Sequence, residues 1–269
     1  MRVLVTGENS YAGQQFKKRM SELNCNWKID FISVRNDEWK SSDFSSYDAI
    51  YHVAGIVHKK ETNENKNVYY KINRDLTHQL ALKAKDEGVK SFVFLSTLAV
   101  YGQVGNIEKD VIITKETQPV PNSNYGKSKL EAEELLNRLN SVNFNIVILR
   151  IPMVYGPNSP GNYSKLEKMA LKISVFPMIE NRRSMIHIDK LSNVVKEYIE
   201  NGVCGLYFPQ DANYVNTSEM VKEIAKKNGH YIYLSKFLGD IIKLFGNRIG
   251  ILNKIFGNLV VEQEEYRKK

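Results

Sequence analysis

Cysteine is scarce in this sequence: among 269 residues only Cys25 and Cys204 occur. Two such residues form no disulfide framework and lack the spacing of metal ligands, so we predict a reducing, cytoplasmic environment and no metal site. Zinc-finger, RNA-binding and arginine-rich patterns are absent as well, so the sequence gives no sign of a nucleic-acid partner. A strand-like run begins at Arg2, which leaves no room for a signal peptide.

Long uninterrupted apolar runs are also missing. The most apolar segment, FLGDIIKLFGNRIGILNKIFGNLVV, is broken by Lys243, Arg248 and Lys254 and by several glycines, whereas a membrane span needs ~20 mostly apolar residues. We favour helix packing within a C-terminal lobe for this segment, and a position on a membrane surface is the alternative. The formal net charge of +8 fits an anionic substrate or membrane face, although lysines spread along many helices explain it more simply.

The sequence does contain a regular alternation of strand-like and helix-like runs. Apolar runs predict strands at Arg2–Thr6, Asp30–Val34, Ala49–Val53, Ser91–Ser96, Asn145–Ile151 and Gly205–Phe208. Amphipathic patterns predict helices at Tyr11–Leu23, Lys71–Glu87 and Ser128–Leu139. This alternation indicates parallel βαβ units with right-handed crossovers, and near-continuous apolar runs such as SFVFLS suit a sheet covered on both faces. The predicted fold class is therefore α/β, with a doubly wound parallel sheet.

The first strand leads through a glycine turn into a helix. Gly7 ends the strand and Gly13 lies in the first helical turn of MRVLVTGENSYAG. A strand, a glycine turn and a helix N-terminus form the setting of a dinucleotide pyrophosphate, with the backbone around Ser10, Tyr11 and Ala12 facing the phosphates. Ser10 stands where a middle glycine is usual, and its small side chain can donate to a phosphate. A nucleotide site that has lost its function is the alternative.

Prolines and glycines cluster just after the fifth strand, at Pro152, Gly156, Pro157, Pro160 and Gly161. They mark a loop, and the chain beyond it has mainly helical patterns with short strands. We therefore predict a dinucleotide-binding domain over residues 1–151 and a smaller, mainly helical substrate lobe over 152–269. The strand near 205–208 is a candidate to rejoin the sheet. Ligands are expected outside the carboxyl ends of the parallel strands.

Tyr125 and Lys129 stand four residues apart in YGKSK, which places them on one helix face, a turn apart. A phenol titrates near ~10, and use of its anion near pH 7 requires a shift of roughly 3 units, or about 4 kcal/mol. One ammonium at about 4 Å supplies about that much at an effective dielectric near 20. We therefore predict that Lys129 lowers the pKa of Tyr125, and that Thr97 hydrogen-bonds the same substrate oxygen. An exposed helix with a coincidental tyrosine and lysine is the alternative.

The end of the second predicted strand carries information about the cofactor. An acidic residue there would hydrogen-bond a ribose 2′-hydroxyl and favour NAD. In FISVRND, Arg35 stands near this position, and a guanidinium suits a 2′-phosphate because it is planar and permanently charged. Asp37 follows closely and could still reach a ribose. We predict NADP(H) in preference to NAD(H).

Six motifs occur in a fixed order along the chain: TGENSYAG, YHVAG, FLSTLAVYG, YGKSK, LRIPMVYGP and RRSMIHIDKL. Over nearly all of its length the chain resembles extended short-chain dehydrogenases/reductases of the NAD-dependent epimerase/dehydratase family, which have a Rossmann-type domain and act on sugar nucleotides. The segments VRNDEWKSSDFSSYD, AGIVH and RIPMVYGPNSPGN are similar to bacterial capsule and O-antigen enzymes. Those enzymes reduce the 4-keto group of UDP-2-acetamido-2,6-dideoxyhexuloses, so the resemblance implies a UDP-sugar substrate.

The resemblance also assigns roles to matching residues. It implies that Thr97, Tyr125 and Lys129 are catalytic and that the glycine turn binds the pyrophosphate. Further cofactor contacts are expected at Asp43, Phe44, Val53, Ala54, Gly55, Asn73, Ile151, Pro152 and Val154. Arg183 is expected to hold the nucleotide diphosphate of the substrate, with a plain surface cation as the alternative, and Asn162 is expected to contact the substrate.

Two other functions use the same residues or the same fold. A sugar-nucleotide 4-epimerase would oxidise C4, let the keto sugar turn and return the hydride, whereas a non-catalytic NAD(P)-sensing protein would only bind. The resemblance further implies a homodimer through helices Lys71–Glu87 and Ser128–Leu139, where Leu76, Leu80 and Leu135 could form the seam or cover the sheet. Because only EQEEYRKK follows FGNLVV, it also predicts a reduced substrate lobe or a trimmed chain.

Overall fold

The computed structural model describes residues 1–57, 61, 62 and 64–263. His58 of the AGIVH motif and residues 264–269 of the C-terminal segment lie outside the described residues. The strands are β1 (Arg2–Thr6), β2 (Lys28–Ile32), β3 (Ala49–His52), β4 (Ser91–Thr97), β5 (Val111–Ile113), β6 (Asn145–Ile151), β7 (Met153–Tyr155), β8 (Val175–Pro177), β9 (Met185–His187), β10 (Gly205–Tyr207), β11 (Tyr233–Ser235) and β12 (Leu259–Val261).

The α-helices are α1 (Tyr11–Glu22), α2 (Lys66–Tyr70), α3 (Leu76–Asp86), α4 (Asn124–Asn137), α5 (Asn162–Ala170), α6 (Ile188–Glu200), α7 (Thr217–Lys227), α8 (Lys236–Phe245) and α9 (Gly250–Phe256). Short 3₁₀ turns occupy Asp37–Ser41, Leu98–Tyr101 and Gly246–Arg248. A π-helical turn at Lys71–Asp75 separates α2 from α3. Within the described residues, no helix is both long enough and apolar enough to cross a membrane.

The described residues form two compact units, and the first contains a six-stranded sheet in the order β2-β1-β3-β4-β6-β10. This unit comprises Met1–Gly102, Pro119–Pro152 and His187–Pro209. Every neighbouring pair of its strands is parallel. Since β2 lies on one side of β1 and β3 on the other, the chain reverses its direction of winding at β1. Such a reversal is the point at which open parallel sheets form ligand clefts.

Alternating side chains of each strand bury against helices on opposite faces of this sheet. Leu4 and Ile50 belong to a core cluster that also contains Leu80 of α3 and Ala132 of α4. On the other face, the ring of Phe16 in α1 packs edge-on against Tyr51 of β3 at a centroid distance of 5.2 Å. Apolar residues on both faces explain why β4 and β6 read as near-continuous apolar runs. The sheet is doubly wound, as the sequence predicts.

The second unit comprises Gln103–Gln118, Met153–Ile186 and the described residues from Gln210 onward. Its strands form three two-stranded pairs, β7 with β9, β8 with β11 and β5 with β12. A separate apolar core packs Ala170 of α5 and Val221 of α7 with Phe256 of α9. The division of the chain into functional domains at residue 151 stays a prediction, although β10 does join the large sheet by pairing with β6.

Most predicted bounds agree with the structure to within one residue, but β2 runs from Lys28 to Ile32, two residues earlier than the predicted strand at Asp30–Val34. β1 and β6 have the predicted bounds, and β4 ends one residue later, at Thr97. The predicted helix at Lys71–Glu87 is instead a π-helical turn followed by α3, and α4 begins at Asn124 rather than Ser128. The earlier start matters because it brings Tyr125 into the first turn of α4.

Candidate active site

A cleft of about 1790 Å³ opens at the carboxyl ends of the strands where the winding reverses. The segments that follow β1, β2 and β3, at residues 7–10, 33–37 and 53–56, line it together with parts of α2, the π-helical turn and α3. Six of the eleven predicted cofactor residues before residue 60 line this cleft: Gly7, Ser10, Arg35, Val53, Ala54 and Gly55. The other five, which are Tyr11, Ala12, Gly13, Asp43 and Phe44, do not line it.

Gly7 makes the turn out of β1 with a backbone φ of +86°, a conformation that residues other than glycine rarely adopt. A Cβ atom there would also lie 3.2 Å from the Cα of Ala54, so glycine keeps the two cleft loops close together. Ser10 is the N-cap of α1, and its Oγ accepts a hydrogen bond from the Gly13 amide at 3.2 Å. Tyr11 and Ala12 follow as the first residues of α1. This exposed helix N-terminus with its glycine turn fits a dinucleotide pyrophosphate.

Gly13 allows α1 to contact the sheet directly. An added Cβ would lie 2.6 Å from Ser10 Oγ and 2.8 Å from Val5 Cγ1, both inside contact distance. We expect Gly13→Ala to lower the free energy of unfolding by about 1–3 kcal/mol through overpacking, and to weaken cofactor binding because α1 must shift. Urea denaturation and a fluorescence titration with NADPH measure the two effects.

The control for this substitution is Gly250→Ala, at the first residue of α9, where an added Cβ meets no atom within 4 Å among the described residues. Alanine gains up to about 1 kcal/mol of helix propensity at such a site, so Gly250→Ala should be neutral or stabilising. Equal stabilities for the two variants would contradict the close packing of α1 on β1.

The cleft wall after β2 is basic. Arg35 is exposed and lines the cleft. Asp37, the acidic residue that could favour NAD, forms an ion pair with Lys40 at 2.9 Å, and Lys40 also lines the cleft. Lys40 was not among the predicted site residues, because the 3₁₀ turn that brings it back to the cleft has no clear sequence signal. Its pairing with Asp37 offsets the acidic charge beside Arg35.

Asp43 and Phe44 do not line this cleft. Phe44 is fully buried in the core cluster of the first unit, and its amide donates to a carboxylate oxygen of Glu87 at 2.5 Å. Asp43 accepts a hydrogen bond from the amide of Ser45 at 2.8 Å, and hydrogen bonds with the side chain and the amide of Ser45 lower the pKa of its carboxyl. The structure thus shows structural roles for both residues, and their contact with the cofactor stays a prediction.

Thr97 and Tyr125 come together in the first unit. Thr97 ends β4 and caps the 3₁₀ turn that follows, its Oγ1 accepting from the amide of Ala99 at 3.1 Å. Its side chain also shares a hydrogen bond with the Tyr125 phenol. Ser123 caps α4 through its Oγ, which accepts from the amide of Gly126 at 3.0 Å, and this cap fixes the turn that carries Tyr125.

The prediction that Lys129 makes the phenol acidic is wrong. Desolvation raises the pKa of Tyr125 to about 12, against an opposing effect of the hydrogen bond with Thr97. Desolvation also lowers the pKa of Lys129 to about 7, although the nearby Glu133 carboxylate opposes it. The Lys129 ammonium donates to the carbonyl of Leu95 at 2.8 Å. Burial is therefore the largest influence on the pKa of both groups, and at pH 7 the phenol is neutral.

Asn73 connects the π-helical turn to the cleft loop after β3. Its side-chain amide donates to the carbonyl of Ile56 at 3.1 Å and to Ser128 Oγ at 3.1 Å, while its oxygen accepts from the amide of Ile56 at 2.9 Å. A Cβ on Gly55 would lie 3.0 Å from that oxygen and 3.6 Å from Lys129 Nζ. The structure thus brings Gly55, Asn73 and Lys129 together.

A buried ion pair between Glu133 and Arg150 lies next to Lys129 and was not predicted from the sequence. Glu133, one helical turn after Lys129, accepts from Nε and Nη2 of Arg150 at 3.0 and 2.6 Å. It also accepts from the hydroxyl of Ser96, and Arg150 donates to the hydroxyl of Tyr101 at 2.7 Å. In the sequence, Glu133 is one of several glutamates in LEAEELL that are expected to face solvent. The ion pair becomes evident only when the position of Arg150 on β6 is known.

Glu61 is a second contributor that the sequence did not reveal. Its carboxylate oxygens accept from the amides of Asn124 and Tyr125, at 2.8 and 3.0 Å. These amides are the first two of α4, so a negative charge there complements the helix dipole and orients the turn that holds the phenol. The signal was hidden because Glu61 lies far from α4 in sequence.

The remaining predicted residues are placed as follows. Ile151 ends β6 and Pro152 is buried directly after it. Val154 lies in β7 and Asn162 is the first residue of α5. In the second unit, Nη1 of Arg183 donates to the carbonyls of Lys254 and Gly257, both at 3.0 Å. This guanidinium thus caps the C-terminal end of α9, and its pKa is lowered by desolvation.

Comparison with known proteins identifies related sequences and folds. A model of the NAD-dependent epimerase/dehydratase family matches residues 3–205. The UDP-glucose 4-epimerase of Vibrio cholerae is 27% identical over 297 aligned positions, which cover 97% of this chain and 87% of that protein.

Two solved structures share the fold. A UDP-glucuronic acid 4-epimerase from Bacillus cereus, in complex with NAD, superposes with a TM-score of 0.71 at 20% identity, covering 97% of this chain and 88% of that chain. A dTDP-4-dehydrorhamnose reductase from Clostridium acetobutylicum gives 0.68 at 20% identity, covering 87% and 83%. These likenesses confirm the predicted α/β, Rossmann-type fold.

Proposed function

Because this chain belongs to the NAD-dependent epimerase/dehydratase family, we propose that it is an enzyme that transfers a hydride at C4 of a UDP-linked sugar. The reaction that we favour is reduction of the 4-keto group of a UDP-2-acetamido-2,6-dideoxyhexulose, in the cytoplasm, for capsule or O-antigen synthesis. Reduction is favoured by one observation: the phenol of Tyr125 shares a hydrogen bond with Thr97 and has a pKa raised to about 12. A phenol in that state is a proton donor at neutral pH.

The proposed chemistry needs one hydride and one proton. When bound, the reduced nicotinamide supplies the hydride that adds to the C4 carbonyl carbon. Tyr125 donates its hydroxyl proton to the carbonyl oxygen as negative charge develops there. Thr97 hydrogen-bonds the same oxygen and holds it in line with the phenol. Lys129, when protonated, stabilises the phenolate that remains after this transfer; burial lowers the pKa of its ammonium to about 7.

The cofactor is held by this chain's own loops. The turn at Gly7 and Ser10 and the N-terminus of α1 would bind the pyrophosphate, and the backbone of Val53–Gly55 would line the rest of the dinucleotide. Ser10 uses an acceptor lone pair for its helix cap, so its hydroxyl proton can be donated to a phosphate oxygen. Exposed Arg35, beside an acidic residue that is already paired with Lys40, supports NADP over NAD.

We expect Arg35→Asp to weaken NADPH binding by ~10-fold or more, because it removes a charge-assisted hydrogen bond to the 2′-phosphate and adds a like charge. NADH carries no such phosphate, so its affinity should change by less than ~3-fold. Isothermal titration with both cofactors measures the difference. Arg138→Asp makes the same charge change at an exposed site on α4's C-terminal side, outside the cleft lining, and should leave both affinities unchanged. A parallel loss of both cofactors would contradict the 2′-phosphate role.

Sugar-nucleotide 4-epimerisation is the second candidate. It is supported by the 27% identity, over 97% of this chain, to a UDP-glucose 4-epimerase. An epimerase would use Thr97, Tyr125 and Lys129 in both directions of hydride transfer and would need no net reductant. Tyr125 would then have to act first as a base, which its raised pKa disfavours in the structure as it stands.

One assay distinguishes the candidates. The purified chain is mixed with NADPH and a UDP-4-keto sugar, and the nicotinamide absorbance is followed. Steady loss of absorbance supports the reductase, whereas exchange of UDP-hexose or UDP-N-acetylhexosamine isomers without loss supports the epimerase. Cofactor binding with no turnover of any UDP-sugar would instead indicate an NAD(P)-sensing protein and remove the proposed enzyme function.

Several further assignments belong to this proposal. We infer that residues 1–151 hold the cofactor and that 152–269 mainly bind the substrate, with Asn162 and Arg183 as contacts. The C-cap role of Arg183 uses one of its nitrogens, which leaves the rest of the guanidinium for a diphosphate. A homodimer through α3 and α4 is also inferred, although Leu80 is fully buried in the core and covers the sheet instead.

A further inference from the structure

Helix α8 carries a continuous apolar surface that points to solvent. Its members, which we call the outer face, are Phe237, Leu238, Ile241, Leu244 and Phe245, and all are exposed. Phe237 is 73% exposed, Leu244 76% and Phe245 58%. Positions 237, 241, 244 and 245 follow the spacing of a single helix face. Exposed single apolar residues are ordinary, but a contiguous helical stripe of large ones marks an interaction surface.

The opposite side of α8 is fixed against the second unit by small residues. A Cβ on Gly239 would overlap the carbonyl oxygen of Met178, and one on Gly246, just after the helix, would lie 2.7 Å from Ile107 Cδ1. Ile242, between them, packs against the apolar core of this unit. The helix therefore docks by its glycine side, which reverses the usual amphipathic arrangement and directs its large apolar side chains outward.

The apolar surface continues past the helix and has a basic border. Ile249 and Ile251 are exposed directly after α8. Four exposed cations belong to the same segment: Lys236, Lys243, Arg248 and Lys254. Asp240 is the single acid between 236 and 256, and none of the four cations forms an ion pair within the described residues. By helix spacing, positions 236 and 243 lie along one edge of the outer face, and Asp240 lies between them on the same edge.

We propose that the outer face binds an anionic lipid membrane surface, with α8 lying in the plane of the interface. An apolar helix face of Phe, Leu and Ile bordered by lysines matches interfacial helices that bury their apolar side among acyl chains and place cations near anionic headgroups. Charge complementarity selects this partner over a second copy of the chain, because two such segments would bring like charges together. The inference is independent of the proposed catalytic reaction.

The test measures partition of the full chain onto vesicles by flotation. Phosphatidylcholine vesicles are compared with vesicles that also contain phosphatidylglycerol, at low and high salt. We expect binding to the anionic vesicles that weakens with salt. Phe237→Ser combined with Leu244→Ser should lower the partition coefficient by ~10-fold or more without changing Tm, since both side chains are exposed. Val142→Ser, at a 100% exposed apolar residue of the first unit, is the matched control and should leave partition unchanged.

A second variant measures the contribution of charge separately from that of apolar contact. It also tests the proposal if the variant Phe237→Ser with Leu244→Ser fails to fold. Lys236→Ser with Lys243→Ser should reduce binding to anionic vesicles by severalfold and flatten its salt dependence. The proposal is overturned if the wild-type chain does not float with anionic vesicles. Light scattering gives a second way to overturn it. If the chain is a dimer that does not bind vesicles, and Phe237→Ser with Leu244→Ser converts this dimer to a monomer, then a second copy of the chain covers the outer face.

Discussion

Replacing Tyr125 by phenylalanine is expected to lower kcat by ~10²-fold or more while leaving cofactor affinity within about twofold. The substitution removes the phenol hydroxyl that shares a hydrogen bond with Thr97 and keeps the aromatic ring in the first turn of α4. Because the phenol is the proposed proton donor, the loss should fall on turnover rather than on binding. Steady-state assays with NADPH and a UDP-4-keto sugar, together with a cofactor titration, measure both quantities.

The matched control is Tyr47→Phe, which removes a tyrosine hydroxyl from the same unit. That hydroxyl donates to Asp30 at 3.1 Å and takes no part in the proposed proton transfer. We expect turnover of this variant to stay within about twofold of the wild type. Unchanged turnover in Tyr125→Phe would remove the proton-donor role, and an equal loss in both variants would indicate a general effect on stability.

Glu133→Ala is expected to destabilise the fold by about 3–5 kcal/mol, a large share of the 5–15 kcal/mol that holds a typical protein folded. Glu133 is 2% exposed and forms hydrogen bonds with both Arg150 and Ser96. Its removal leaves the buried guanidinium of Arg150 without a counter-charge, which costs far more than the pair contributes when intact. Urea denaturation gives the free energy of unfolding directly.

Two further variants make this prediction specific. Glu134→Ala changes the neighbouring, exposed glutamate of α4 and should alter stability by no more than about 0.5 kcal/mol. Glu133→Leu with Arg150→Met removes both charges and should recover most of the loss, since no unpaired charge remains. A loss in the double variant as large as in Glu133→Ala would show that packing, not charge, dominates.

Glu133 also affects the active site. Its charge raises the pKa of Lys129 against the stronger effect of desolvation. In Glu133→Gln the pKa of Lys129 should therefore fall further, so the lysine loses its proton at a lower pH. We expect the alkaline limb of the pH–rate profile to move to lower pH in this variant.

The sequence predicts well those features that depend on local pattern. Strands β1 and β6 have the expected bounds because apolar runs bounded by glycine or polar residues have few other interpretations. Gly13 packs on Val5 as the glycine turn suggests. The family also follows from six ordered motifs, which together are far more specific than any one of them.

Features that depend on distant contacts or on hydration were not accessible from the sequence. Helix spacing correctly places Tyr125 and Lys129 on neighbouring turns, but it gives no measure of the water around them. Burial therefore reverses the expected pKa shift of the phenol. Glu61 and Glu133 act on α4 through partners that lie far away in the chain, so their roles require the tertiary structure.

The π-helical turn at Lys71–Asp75 has a consequence for how this chain can change length during evolution. A wider turn accommodates one residue more than a regular α-helix would over the same rise. Deleting a single residue here would restore regular α-helical winding. It would also rotate Asn73 by about 100° away from Ile56, and Asn73 would lose its hydrogen bonds with the amide and carbonyl of Ile56. Regular helix winding would therefore tolerate loss of a residue here, but the contacts of Asn73 with the loop after β3 would not. Insertions and deletions should be tolerated on either side of this segment before they are tolerated within it.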